Sequence, residues 1–189
     1  RMLAALATQD LPAARFEVIL IDAGDIPGIR IALSGIDVPF HLDLIGAGER
    51  SLSAARNAAL HRARGEVLVF MEGDLQPARD NLLRHLARHR DSGSPRSILG
   101  EVTLRQTAAQ DSVSHLMQTT SIASVRPEMR PGTAYKGQAF SCANMSIKRE
   151  HLLRIGGFDV VFSGHGAEEV ELGLRLERAL GMPVIFDPE

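Results

Sequence analysis

The sequence predicts an α/β fold, a sandwich of helices packed on a largely parallel sheet. Two observations point there. Short apolar runs such as FEVILI (16–21) and EVLVFM (66–71) are bounded by turn residues and read as buried strands. Longer stretches with helical signals lie between such runs, so strands and helices alternate. A third observation sets the scale. The chain has 189 residues, 44% of them hydrophobic and 23% charged, which suits one domain with its own core and argues against disorder.

The elements follow in order. Residues 2–6 read as the end of a helix, and the strand at 16–21 closes on Asp22-Ala23-Gly24-Asp25. A second strand is expected at 40–45, broken by Gly46-Ala47-Gly48. Ser51 or Ser53 then caps a helix through His61. The clearest strand, 66–71, closes on Glu72-Gly73-Asp74. Pro77 suits the first turn of the next helix, which runs to about His89. A loop at 91–95 leads to a strand at 97–104, and a helix is expected at 110–124. Residues 126–137 hold two prolines, two glycines and no hydrophobic period, the pattern of a mobile loop. A strand at 139–147 and a helix at 149–155 precede Gly156-Gly157. The last helix, 168–180, offers Val170, Leu172, Leu174, Leu176 and Leu180 as apolar positions. Gly181 ends it, and 183–186 is the final strand.

Composition excludes several classes. Net charge is -2 and the sequence pI about 6.4, with no basic stripe, so no nucleic-acid partner is expected. The single cysteine, Cys142, excludes a disulfide framework and a cysteine-based zinc site. No apolar run approaches the ~20 residues of a membrane span, and no signal peptide is visible. The first residues already follow a helical pattern and the last lie just past a strand, so the chain reads as an excised domain, truncated at both ends. A cytoplasmic setting is expected, with any membrane association left to other parts of a parent protein.

In open α/β sheets, ligands gather outside the carboxyl ends of the strands. Asp22 and the pair Glu72 and Asp74 fall at such ends. Acid-X-acid can turn two carboxylates toward one crevice, suiting Mg²⁺ or Mn²⁺ with substrate phosphates. Taken alone, the tripeptide reads more readily as a solvated acidic turn. Asp22 is a nucleotide contact or a turn former. Glu168 and Glu169 open a helix, where the dipole favours them, and a carboxylate there is equally a structural residue or a general base. Arg56 is either an exposed helical arginine or a diphosphate ligand. His165 is a loop histidine or an aid to binding, and Cys142 reads as a small core residue.

Together these segments resemble family 2 glycosyltransferases. The matching stretches, in order, are FEVILIDAGD (16–25), SAARNAALHRARGEVLVFMEGD (53–74), CANMSIKREHLLRIGGFD (142–159) and FSGHGAEEVELGLRL (162–176). The resemblance implies a GT-A fold, a three-layer α/β/α sandwich with a mostly parallel mixed sheet whose first strand is missing from this stretch. It implies a nucleotide-sugar-binding half at 1–104 and an acceptor-binding half at 105–189. Residue by residue, it makes Asp22, Arg56, Glu72 and Asp74 donor-binding, with Asp74 the ligand of Mn²⁺ or Mg²⁺. Asn144 and Glu168 become acceptor-side residues and Glu169 the catalytic base. The implied partners are a nucleotide-sugar donor, UDP-linked, and a saccharide or other hydroxyl acceptor, in polysaccharide biosynthesis. The implied transfer inverts the anomeric centre.

This sequence departs from the family pattern in places. Glu72 and Glu169 stand where the family carries Asp, and the acidic pair after the first nucleotide-binding strand is reduced to Asp22-Ala23. These departures motivate a second reading, a non-catalytic GT-A-like binding or scaffolding module of a larger protein. A nucleotidyltransferase would want a glycine-rich, Lys/Arg-bearing phosphate loop, and none is visible.

Overall fold

Each apolar run of the sequence becomes a strand with a core on at least one side. The computed structural model describes residues 1–22, 26–46, 51–90, 93–103, 128–162 and 167–188. Helix α1 (Met2–Leu6) leads to strand β1 (Glu17–Asp22). Helix α2 (Ile29–Ser34) and strand β2 (His41–Gly46) follow, then helix α3 (Leu52–Arg62) and strand β3 (Val67–Met71). Next come α4 (Asn81–Arg90), β4 (Ser97–Leu99), β5 (Ala134–Tyr135) and β6 (Asn144–Lys148). Helices α5 (Arg149–Arg154) and α6 (Ala167–Leu180) and strand β7 (Val184–Phe186) complete the order.

β1 and β2 pair in parallel as a two-stranded sheet. The larger sheet has the order β3-β6-β4-β7-β5. In it β4 and β7 are parallel, β6 is antiparallel to both β3 and β4, and β5 is antiparallel to β7. Thus β3, β4 and β7 run one way, with β6 and β5 against them. Among the described residues no ladder joins β1 to β3.

Alternation along β3 builds two cores. Leu68 and Phe70 pack with Met145, Ile147, Leu152, Leu172 and Leu176 on one face. Val69 and Met71 pack with Leu6, Leu11, Leu82 and Phe40 on the other. Helices therefore cover both faces, giving the expected three-layer α/β/α arrangement. No helix among the described residues is long and apolar enough to cross a membrane.

Several boundaries differ from expectation. α4 begins at Asn81, not near Pro77, and Gln9 ties the segment before it: its side chain donates to Ala78 O at 2.6 Å and accepts from Leu82 N at 3.0 Å. β4 is assigned only to Leu99, and one more bond of its ladder with β6 follows, from Gly100 N–H to Asn144 O at 2.8 Å. The expected strand at 139–147 starts only at Asn144, since a short 3-10 turn occupies Gly137–Ala139 and Cys142 N–H goes to a side chain. Within the expected loop at 126–137, Ala134–Tyr135 pairs with β7, and Tyr135 accepts Arg130 N–H at 2.7 Å. α2 carries no buried residue, so no apolar stripe announced it. Val170 is 38% exposed, on the outer face of α6, while Leu172 and Leu176 are buried. The helix expected at 110–124 lies outside the described residues.

Candidate active site

β3, β4 and β7 end on the same side of the sheet, and β6 begins there. A cleft of about 1180 Å³ opens at that edge. Its lining includes Asp74, Asn81, His85, Glu101, Asn144 and Asp187, with Ala4, Ala5 and Thr8 from the α1 side. This is where an open α/β sheet takes its ligands.

The Glu72–Asp74 turn leaves β3 directly. Glu72 N–H donates to Ala143 O at 3.2 Å and Leu75 N–H to Glu72 O at 3.1 Å, so the turn is tied to the strand beside it. Both acidic residues are exposed. Asp74 lines the cleft, and no described residue forms an ion pair with it. Asn144, the first residue of β6, is nearly buried and lines the same cleft. Its Nδ2 donates to Glu101 O at 3.1 Å, and its Oδ1 lies 3.0 Å from His85 Nε2.

The acidic pair opening α6 sits on the other side of the entry to β6. Arg56, on α3, forks across it, with Nη1 to Glu168 at 3.0 Å and Nη2 to Glu169 at 2.8 Å. Glu169 also accepts Cys142 N–H at 3.0 Å. The guanidinium lies 5.1 Å from the centre of the Phe158 ring, a cation–π distance. Asn57 fixes that ring's backbone by accepting Phe158 N–H and donating to Phe158 O, both at 2.8 Å. Burial alone would make Arg56 easier to deprotonate, but the carboxylates of Glu169 and Glu168 outweigh burial and raise its pKa. Burial, then the charge of Glu169, pushes the Cys142 thiol well up, so it stays protonated. It is the small core residue the sequence suggested.

The residues singled out by sequence therefore form two groups. Asp74 and Asn144 share the cleft. Arg56, Glu168 and Glu169 form one ion cluster, with Glu168 buried and the other two part-buried. The arginine meets carboxylates there, the partners that a fork geometry suits as well as it suits phosphate. Asp22 stands apart at the end of β1, 6% exposed, with both carboxylate oxygens accepting Ile26 N–H at 2.9 and 3.2 Å. A turn former makes such a contact. His165 and the rest of its glycine-rich turn lie outside the described residues. Sequence reasoning missed His85, Glu101 and Asp187 as cleft residues. Only His85 left a signal, since it and His89 lie four apart on one helical face.

Among the described residues, no group of three or more His, Cys, Asp or Glu side chains could hold a metal ion alone. The donor set fits a different kind of site. One exposed carboxylate at a strand end suits a hard cation that keeps most of its ligands from water and substrate phosphates.

Comparison with known proteins bears on the family and the fold. YfnE of Bacillus subtilis, an uncharacterized glycosyltransferase, is 24% identical over 87% of this chain and 53% of its own length. The succinoglycan biosynthesis protein ExoM of Rhizobium meliloti is 26% identical over 99% of this chain and 59% of its own. The chain thus spans little more than half the length of these relatives. Among solved structures, S. aureus TarS 1-349 in complex with UDP-GlcNAc superposes with a TM-score of 0.70 at 16% identity, covering 100% of this chain and 54% of that one. The mannosyltransferase PcManGT of Pyrobaculum calidifontis, in complex with GDP-Man and Mn²⁺, gives 0.65 at 23% identity, covering 100% and 50%. These likenesses support the GT-A fold. The model of the family described as "Glycosyltransferase like family 2" matches residues 9–185, nearly the whole chain, and the chain belongs to that family.

Proposed function

We propose that this chain carries the catalytic core of an inverting glycosyltransferase using a nucleoside-diphosphate sugar, UDP-linked, and a saccharide or other hydroxyl acceptor. The observation that carries the reading is the pairing of two sites across one strand entry. Asp74 and Asn144 line the cleft at the strand ends, and Glu168 and Glu169 are pinned beside Cys142, two residues before Asn144. Residues 1–104 supply the donor-binding half and 105–189 the acceptor-binding half of a single domain. The proposed setting is cytoplasmic polysaccharide biosynthesis.

In this reading Asp74 would hold a Mn²⁺ or Mg²⁺ beside the donor's diphosphate, where the ion would supply neutralisation of the leaving group's charge. Glu72 and Asp22 serve the donor's nucleoside. Glu169 takes the proton of the acceptor hydroxyl. The acceptor oxygen then bonds to the anomeric carbon from the side opposite the diphosphate, whose oxygen leaves with the bonding pair. Glu169 keeps lone pairs for that proton, because a carboxylate offers about four acceptor positions and Arg56 and Cys142 N–H take two. Arg56 holds the carboxylate in place while Glu168 shares its charge.

The test is calorimetry and turnover on three proteins. The wild-type chain binds UDP-GlcNAc in the presence of Mn²⁺. Asp74→Ala loses the metal-dependent part, and Glu169→Gln binds normally but does not transfer. Absence of metal-dependent binding by a protein spanning the full family length would sink the proposal. The second reading, a non-catalytic module, is favoured by one feature: both oxygens of Glu169 already hold protein partners. Unchanged turnover in Glu169→Gln would remove the base assignment, and no turnover in any protein that still binds donor would favour the module.

A further inference from the structure

The polar face of β6 carries a chain of hydrogen bonds whose direction can be worked out from one end. Glu101 O is a backbone carbonyl and can only accept, so the Asn144 atom 3.1 Å from it is the nitrogen Nδ2. The Asn144 oxygen therefore faces His85 Nε2 at 3.0 Å, and an amide oxygen also only accepts. His85 thus carries a proton on Nε2. Burial lowers the His85 pKa, against the opposing pull of Asn144 and Asp187, so the ring is neutral and Nδ1 is bare. Ser146 must then donate its hydroxyl proton to that Nδ1 at 2.8 Å. With its proton committed, Ser146 Oγ accepts from His89 Nε2–H at 2.9 Å. His89 is also held neutral, its pKa lowered to about 4 by burial and then by His85.

One arrangement of protons is consistent with every hydrogen bond of this chain, and it leaves a remainder. Asn144 Oδ1 takes His85 and, at 3.4 Å, Asn81 Nδ2. Of the two Asn144 side-chain N–H groups, Glu101 takes one, and no described residue takes the other. There is little room for the amide to swing aside. A Cβ added at Gly100 would lie 2.3 Å from Asn144 Nδ2 and 3.3 Å from His85 Nε2.

We propose that His85 is a positioning residue: held as the Nε2–H tautomer by Ser146 and His89, it fixes the Asn144 amide so that a cleft ligand meets an N–H donor and not a carbonyl oxygen. The group recognised is an oxygen acceptor, either a sugar hydroxyl or a diphosphate oxygen. Only the identity of that ligand rests on the sugar-nucleotide reading. The tautomer and the fixed amide do not.

NMR of the ¹⁵N-histidine-labelled chain near neutral pH tests the arrangement directly. Both rings are expected neutral with the proton on Nε2. A His85 proton on Nδ1, or an imidazolium, overturns the proposal whatever the chain binds. Ser146→Ala is expected to release His85 into a mixture of tautomers, and an unchanged His85 spectrum would also overturn it. Titration of UDP and of UDP-GlcNAc, each with Mn²⁺, then reads the ligand group. In Ser146→Ala, a loss of roughly five- to tenfold for UDP-GlcNAc alone identifies a sugar oxygen, and the same loss for both probes identifies the diphosphate. His85→Gln, whose amide nitrogen reaches toward the place of Nε2, should keep most of the wild-type affinity. Equal affinities across all three proteins for both probes would refute the positioning role. Wild-type chain that binds neither probe refutes the UDP reading of the donor, and the tautomers still decide the role of His85.

Discussion

The two faces of β6 are made from alternate residues of one strand and do opposite work. Met145 and Ile147 are fully buried in the larger apolar core, against Leu172 and Leu176 of α6. Asn144 and Ser146 are nearly as buried but face His85 and His89 of α4. Packing on the apolar face is strong but has no direction, so it holds the fold together without orienting any polar group. The polar face has to satisfy each donor and acceptor at low dielectric, so it admits few arrangements and orients a side chain at the cleft. The contrast suggests that damage to the first face costs stability and damage to the second costs geometry.

The sharpest way to break that contrast is at the closest contact on the apolar side. A Cβ on Gly173 would lie 1.9 Å from Gly137 O and 2.5 Å from the Phe140 Cβ. Backbone cannot retreat as a flexible side chain can, so Gly173→Ala is expected to cost at least about 3 kcal/mol, at or above the upper end of overpacking effects. Urea unfolding followed by circular dichroism measures it. A midpoint unchanged from wild type would mean that α6 and the turn at Gly137–Ala139 are not packed this tightly.

Arg56→Ala comes next, because it removes the cation shared by Glu168, 2% exposed, and Glu169. Breaking a buried pair by removing one partner costs about 3 kcal/mol, and lysine should recover only part of it since it lacks the fork. If the Lys variant equals wild type in the same unfolding experiment, bidentate geometry is not what holds the acidic pair.

The histidine face should reveal itself in acid. His85 and His89 have folded-state pKa values below the ordinary 6.5, that of His89 near 4, chiefly through burial. Their unfolded forms titrate near 6.5. Their contribution is therefore fully present above about 6.5 and is lost as pH falls toward the folded values, by something on the order of 2 kcal/mol. Glu17, whose pKa is lowered by Arg64 and Gly65 despite burial, adds a separate loss below about 4.5. His89→Gln should flatten the decline as pH falls from about 6.5 toward 4. A slope the same as wild type would detach the histidines from acid sensitivity.

Most of the scaffold was legible because it depends on period and punctuation. FEVILI and EVLVFM became β1 and β3, Ser51 caps α3 through Ala54 N–H, and Gly156, Gly157 and Gly181 adopt the positive φ that ends a helix. The start of α4 was not legible, and the residue tied to it, Gln9, lies some seventy positions upstream. The site was half legible. Asp74 and Asn144 came from the family resemblance, and the structure brings both to one cleft. Arg56 was assigned to a phosphate because its real neighbours, Glu168 and Glu169, are more than a hundred residues away, and composition cannot announce that pairing. His85 was overlooked for the same reason. Its significance lies in Ser146 and Asn144 on another strand.

The smallest expected effect separates two neighbours on α6 that the sequence treats alike. Val170 and Leu172 were both read as apolar positions of an amphipathic helix. Residues two apart on an α-helix point about 200° away from each other, so both cannot face one core. Leu172 shares its face with Glu168 and Leu176, at spacings of four, and is fully buried, while Val170 is 38% exposed. Val170→Lys should therefore shift stability by less than about 0.5 kcal/mol, with the better helix propensity of lysine pulling toward a gain. Leu172→Ala in the same experiment should cost about 3 kcal/mol. A large loss at position 170 would mean that the outer face of α6 is covered by residues outside those described, and the apolar face of this domain would extend further around the helix than the contrast with β6 allows.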